Sequence, residues 1–119
     1  MLKDKISGFV DTILSVEGIS ACALISRDGI VVGKSLDRQM NEPWFGALSA
    51  TILASAESMA NLTRMPSTDS VTIRCSDAVI MVMSAGEKFL VATILQRSTD
   101  PAKVHDQLVS ISKTIGKAM

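Results

Sequence analysis

Gly86-Glu87-Lys88 offers a partial likeness to a phosphate-binding turn. Such a loop needs a glycine-rich turn that ends in Gly-Lys-Ser/Thr and opens a helix, so that backbone amides surround the phosphates. Here the first glycine and the hydroxyl residue are missing, and the apolar run that follows, beginning Phe89-Leu90-Val91, reads as a strand. The chain is therefore not expected to hydrolyse GTP on its own. Metal chemistry has as little support: there is a single histidine, His105, and Cys22 and Cys75 lie far apart with no paired spacing. Both cysteines fall in β-rich stretches, where a cysteine ordinarily serves as a small buried hydrophobe. A nucleophilic pair would require His105 to reach one of them. Ser110-Ile111-Ser112-Lys113 has the Ser-x-x-Lys spacing of some acyl-transfer enzymes. It sits late in an amphipathic terminal segment with no companion motif. No catalytic, cofactor-binding or metal-binding residue is expected, and the chain reads as a non-enzyme.

Composition excludes further classes. Twelve basic residues balance twelve acidic ones, so no long-range field would hold a polyanion. Aromatic platforms for stacked bases are also scarce: Trp44, Phe9, Phe45 and Phe89 are the aromatic residues. Nucleic acid is not an expected partner. No apolar run approaches the roughly 20 residues that span a bilayer, so no membrane insertion is expected. Charges recur at Lys3, Asp4 and Lys5, too early for the apolar core of a signal peptide. Together with the low cysteine count, this suggests a cytoplasmic protein. The 119 residues amount to a single domain, 1–119.

The elements follow from period and punctuation. Leu2, Ile6, Phe9, Val10, Ile13 and Leu14 recur at helical spacing, with Gly18 as a stop, which predicts a first helix over 2–17. Asp28-Gly29 between two β-rich runs, 19–26 and 30–35, predicts a hairpin. Pro43 then opens a helix to about residue 64, and Pro66 to Asp69 form its exit loop. Three strands follow at 71–75, 78–83 and 89–95, with connections short enough for an antiparallel meander. Asp100 caps a last helix with Pro101 at its first position.

Strands 21–25, 78–83 and 89–95 are apolar at successive positions, as a strand buried on both faces must be. Strand 71–75 alternates, and 30–35 soon runs into Gly33-Lys34-Ser35, which suits sheet edges. With hairpins pairing neighbours, the order that satisfies both constraints is 2-1-5-4-3. Helices on both faces then give a three-layer α/β/α sandwich around a five-stranded antiparallel sheet, with topology α-β-β-α-β-β-β-α.

On the middle helix, Phe45, Leu48, Ile52, Leu53, Ala56, Met59 and Ala60 share one face, which is expected to pack on the sheet. The other side is expected to carry Gly46, Ala47, Ala50, Thr51, Ala54, Glu57, Ser58 and Asn61. A solvated face would normally hold Lys and Glu, whereas small residues permit another helix to approach. Coverage by the chain's own loops is one reading. The sharper one is a two-fold interface of Gly46, Ala47, Ala50, Ala54, Glu57, Ser58 and Asn61, extended by Val71 and Ile73 on the third-strand edge. Trp44 is either buried at the sheet margin or, if exposed, a candidate partner surface.

This layout resembles the Roadblock/dynein light chain family. The resemblance rests on the element order, on Gly18-Ile19 before an Ala/Leu-rich strand, and on Ser26-Arg27-Asp28-Gly29-Ile30 at the first hairpin. The Ala-rich middle helix and the Gly86-Glu87-Lys88-Phe89-Leu90-Val91 hairpin add to it. It covers nearly the whole chain. It implies a dimer, with itself or a paralogue, having a continuous sheet and paired middle helices. It also implies a Ras-like small GTPase partner, as for prokaryotic single-domain members, and supplies no catalytic motif or cofactor. Trp44 matches no family feature. The expected function is a scaffold that biases the nucleotide state or location of such a GTPase. A profilin-like or PAS-like small-molecule sensor is the alternative, since those folds also combine an antiparallel sheet with flanking helices. A thiol enzyme using Cys22 or Cys75 is a third.

Overall fold

A computed structural model describes residues 2–65 and 67–119; Pro66, placed in the exit loop by the sequence, lies outside the described residues. The elements run in the expected order: α1 (Leu2–Leu14), β1 (Ile19–Ser26), β2 (Val31–Ser35), α2 (Glu42–Leu62), β3 (Val71–Arg74), β4 (Ala78–Ala85), β5 (Phe89–Gln96) and α3 (Pro101–Ala118). The sheet is antiparallel, in the order β2-β1-β5-β4-β3.

Local chemistry explains most boundaries. Helix α1 stops at Leu14, three residues before the expected end. The Ser15 hydroxyl donates to the Thr12 carbonyl at 2.6 Å, and the chain tightens through Val16 N–H to the Ile13 carbonyl. That competition ends a helix and turns Val16 into the core. At the first hairpin Gly29 takes φ 90°, and Ser26 and Ile30 exchange backbone and hydroxyl bonds around it. Asn41 caps α2 by accepting from Trp44 N–H, and Asp100 caps α3 by accepting from Ala102 N–H. Arg64 turns the chain out of α2 in the left-handed region, φ 61°.

The sheet divides the core in two. Helices α1 and α3 cover one face, where Ile13, Leu24, Met81, Met83, Val91, Leu108 and Ile115 pack together. Helix α2 alone covers the other, over Ala23, Ile25, Val82, Leu90 and Ala92. Cys22, Ala23, Leu24 and Ile25 are all fully buried, as expected of a central strand. Thr93, buried at mid-sheet, donates to the Met81 carbonyl at 3.2 Å and so leaves no unpaired hydroxyl.

Candidate functional site: the outward face of the middle helix and the third-strand edge

Helix α2 is turned differently from the sequence expectation. Leu53 is its fully buried large residue, and Phe45, Ala50, Ala56 and Ala60 are half-buried around it. Leu48 (56% exposed), Ile52 and Met59 (66%), expected on the sheet, face away from it. Gly46, expected outward, faces inward. The cause is a backbone contact with the first hairpin: a Cβ on Gly46 would stand 2.4 Å from the Gly29 carbonyl oxygen, and one on Gly29 would stand 3.0 Å from Ala47 Cα. Small residues do permit close approach here, but of the protein's own hairpin.

The expected interface residues therefore separate. Gly46 is buried, and Ala50 packs toward the sheet beside Leu53. Glu57 is half-buried and accepts from Arg27 Nη1 at 2.8 Å. These three are turned into the fold. Ala47, Ala54, Ser58 and Asn61 remain exposed and form a small-residue row along the helix. Beside that row runs a second one that the sequence reading assigned to the core: Leu48, Ile52 and Met59, continued at the ends by Trp44 (63% exposed) and Leu62. Trp44 is thus not buried at the sheet margin. The missed signal was the Asp28-Gly29 turn itself. A hairpin tip seated on a helix selects glycine at the contact and sets which way the helix faces.

The third-strand edge adjoins the α2 face of the sheet. Val71 and Ile73 pair with Val82 and Ile80 and lie half-buried on that face. Thr72 and Arg74 are exposed, and β3 pairs with β4 in unbroken register. Arg27, at the first hairpin, ties α2 to the β4–β5 turn. Its Nη2 donates to the Gly86 carbonyl and its N–H to the Lys88 carbonyl, while Nη1 holds Glu57 on α2.

The residues weighed for chemistry do not converge. Burial, with the charge of Asp11 adding to it, pushes the Cys22 thiol up to about 11, and its Sγ lies 3.9 Å from the Val10 carbonyl oxygen. A thiol held protonated is a poor nucleophile. Cys75 is exposed in the turn just beyond β3, not in a strand as expected. His105 is half-buried on α3 with Asp106 as its partner. Among the described residues no group of three His, Cys, Asp or Glu side chains gathers as a metal site, and no helix is long and apolar enough to cross a membrane.

Comparison with known proteins agrees with this architecture. Myxococcus xanthus MglB superposes with a TM-score of 0.86 at 14% identity, over 96% of this chain and 94% of that one. A structure of MglB with tetrameric arrangement gives 0.84 at 16%, over 97% and 88%. A Roadblock/LC7 domain from Streptomyces avermitilis gives 0.80 at 18%, over 97% and 95%. These likenesses concern the fold. No curated protein is detectably similar in sequence. The Roadblock/LC7 domain family matches residues 8–95, most of the chain, and the protein belongs to that family.

Proposed function

We propose that this protein associates with a second copy through the outward face of α2 and the free edge of β3. In that form it binds a Ras-like small GTPase and biases its nucleotide state or location. The observation that carries the reading is the exposed apolar row Trp44, Leu48, Ile52, Met59 and Leu62, beside an unprotected strand edge. Contiguous exposed apolar rows mark interaction sites, and an unpaired edge is a template for a second strand. A two-fold axis would bring both features into one interface. Of the residues expected there, Ala47, Ala54, Ser58, Asn61, Val71 and Ile73 stay in the proposed interface.

The GTPase rests on the family. The action on it is positional: the protein holds the GTPase's own switch segments in one arrangement and adds no catalytic side chain. The protected thiol of Cys22 supports that reading against a thiol enzyme. Two measurements test the proposal. Light scattering over a dilution series should give a dimer that persists to low micromolar concentration, and a strict monomer sinks the interface. Nucleotide exchange and hydrolysis by a Ras-like GTPase from the same genome should change when the protein is added. Unchanged turnover, with no co-migration in gel filtration, sinks the GTPase reading.

A further inference from the structure

Glycine meets glycine where the β4–β5 turn touches α3. Gly86 adopts φ 78°, and a Cβ on it would stand 2.9 Å from Gly116 Cα; a Cβ on Gly116 would stand 2.7 Å from the Gly86 nitrogen. Backbone thus packs directly on backbone, and Arg27 holds the same turn from its other side through the Gly86 and Lys88 carbonyls. A groove of about 450 Å³ opens beside this contact. Lys88 lines it from the turn, and Lys113 and Lys117 from α3; Phe89 and Met119 add apolar lining.

The charges of this groove are unbalanced. Lys113 and Lys117 stand four residues apart on one helix face, where like charges repel. Lys88 brings a third positive charge from a separate element. Glu87 is the single acidic residue of the lining. Among the described residues the ion pairs are Arg27–Glu57 and Lys34–Glu42, His105 lies beside Asp106, and none of the three lysines has a carboxylate partner. The negative end of α3 explains Lys117 at that position; it does not explain Lys88. Lys5 adds to the same surface, its amine 3.5 Å from the Ala118 carbonyl oxygen.

We propose that this groove docks an acidic, partly apolar segment of a partner protein, its carboxylates meeting Lys88, Lys113 and Lys117 and an apolar side chain resting on Phe89 and Met119. Charge complementarity selects an acidic partner. A concave groove with apolar walls suits a peptide rather than a flat lipid surface, and a single aromatic residue, Phe89, makes no stacking platform for successive bases. The site lies away from the outward face of α2 and goes beyond the GTPase reading.

The probe is a short fluorescein-labelled peptide of alternating Glu and Leu, titrated into the full chain and followed by anisotropy and by backbone amide NMR. The expected result is saturable binding that weakens with salt, with shifts confined to residues 85–89 and 113–119. Lys113→Glu with Lys117→Glu should weaken it roughly tenfold or more, Lys88→Glu alone by a smaller factor, and Lys103→Glu, at the other end of α3, not at all. The three groove lysines are exposed, so circular dichroism should show these variants folded. Absent binding, shifts spread over the surface, or binding indifferent to the double reversal overturns the proposal. So does tighter binding of heparin or of anionic vesicles than of the peptide, with the same residues shifted. No GTPase enters this test, so it can fail while the GTPase reading stands.

Discussion

Strand β2 closes the sheet on one side with a bulge, a lysine and a helix laid across it; β3 closes the other with four regular residues. At β2 the pairing slips between Leu24 and Ile25, leaving Val32 as the extra residue. Lys34 bonds Glu42 at the start of α2. Helix α1 lies so close that a Cβ on Gly33 would meet Ile6 Cγ2 at 2.4 Å. Bulges, edge charges and covering helices are the usual means of keeping a strand edge from pairing with another chain. Strand β3 has Arg74 at its end, no bulge, and the apolar row of α2 on the same side of the sheet. One edge is protected against strangers; the other, under the proposed association, is left ready. The difference is what a sheet needs if it is to be continued in one direction only.

The largest expected effect breaks the ready side at its helix. Leu48→Glu with Met59→Glu puts two charges into the proposed interface and should raise the dimer dissociation constant by roughly a hundredfold or more. Both side chains are mainly exposed in the single chain, so the monomer should lose no more than about 0.5 kcal/mol. Light scattering and urea unfolding separate the two effects. An unaltered mass would remove α2 from the interface. The strand edges can then be compared directly. Thr72→Lys on β3 should weaken association by roughly tenfold, by adding the edge charge that β3 lacks. Val32→Lys on β2 should leave it unchanged. Equal effects at the two positions would abolish the distinction between the edges.

A fourth variant tests how α2 is turned. Gly46→Ala places a methyl group 2.4 Å from the Gly29 carbonyl oxygen, and overpacking of this kind costs roughly 1–3 kcal/mol. Urea unfolding should show that loss with little change in association of the folded protein. A neutral effect on stability with a large effect on dimerisation would return Gly46 to the outer face, as the sequence alone suggests.

That contrast shows what was legible and why. Strand order came from counting apolar runs: only strands buried on both faces can be apolar at successive positions, and Cys22 to Ile25 and Ala78 to Met83 met that condition, with Thr93 the one polar residue of Phe89 to Leu95. The orientation of α2 did not come out, because this helix is apolar nearly all round. Leu48, Ile52 and Met59 are as apolar as Leu53, and periodicity cannot say which of two apolar rows meets the sheet. The deciding contact, Gly29 on Gly46, joins residues from different elements, and no spacing rule within the helix encodes it. Cys75 was misplaced by a single residue, since β3 ends at Arg74 and the thiol falls into the turn.

The two cysteines report on the two sides of the sheet, with the smallest expected effect. Cys22 pairs in register with Ser35 of β2 and lies beneath α1; Cys75 follows β3 directly. An iodoacetamide-type reagent should therefore modify Cys75 readily and Cys22 only through unfolding, and Cys75 should react more slowly in the dimer than in the Leu48→Glu, Met59→Glu monomer. Cys22 also carries a pH dependence of known sign. Its thiol ionises near 9.0 when unfolded and is pushed up to about 11 by burial in the fold. Between those values the folded state keeps a proton that the unfolded state gives up, so stability is intact below pH 9 and falls as pH rises toward 11. Cys22→Ala should lower stability overall and flatten that alkaline slope, and Cys75→Ala should leave the slope alone. Rapid labelling of Cys22 in the folded protein would show that α1 opens, and that the protection credited to the β2 side is weaker than its contacts imply.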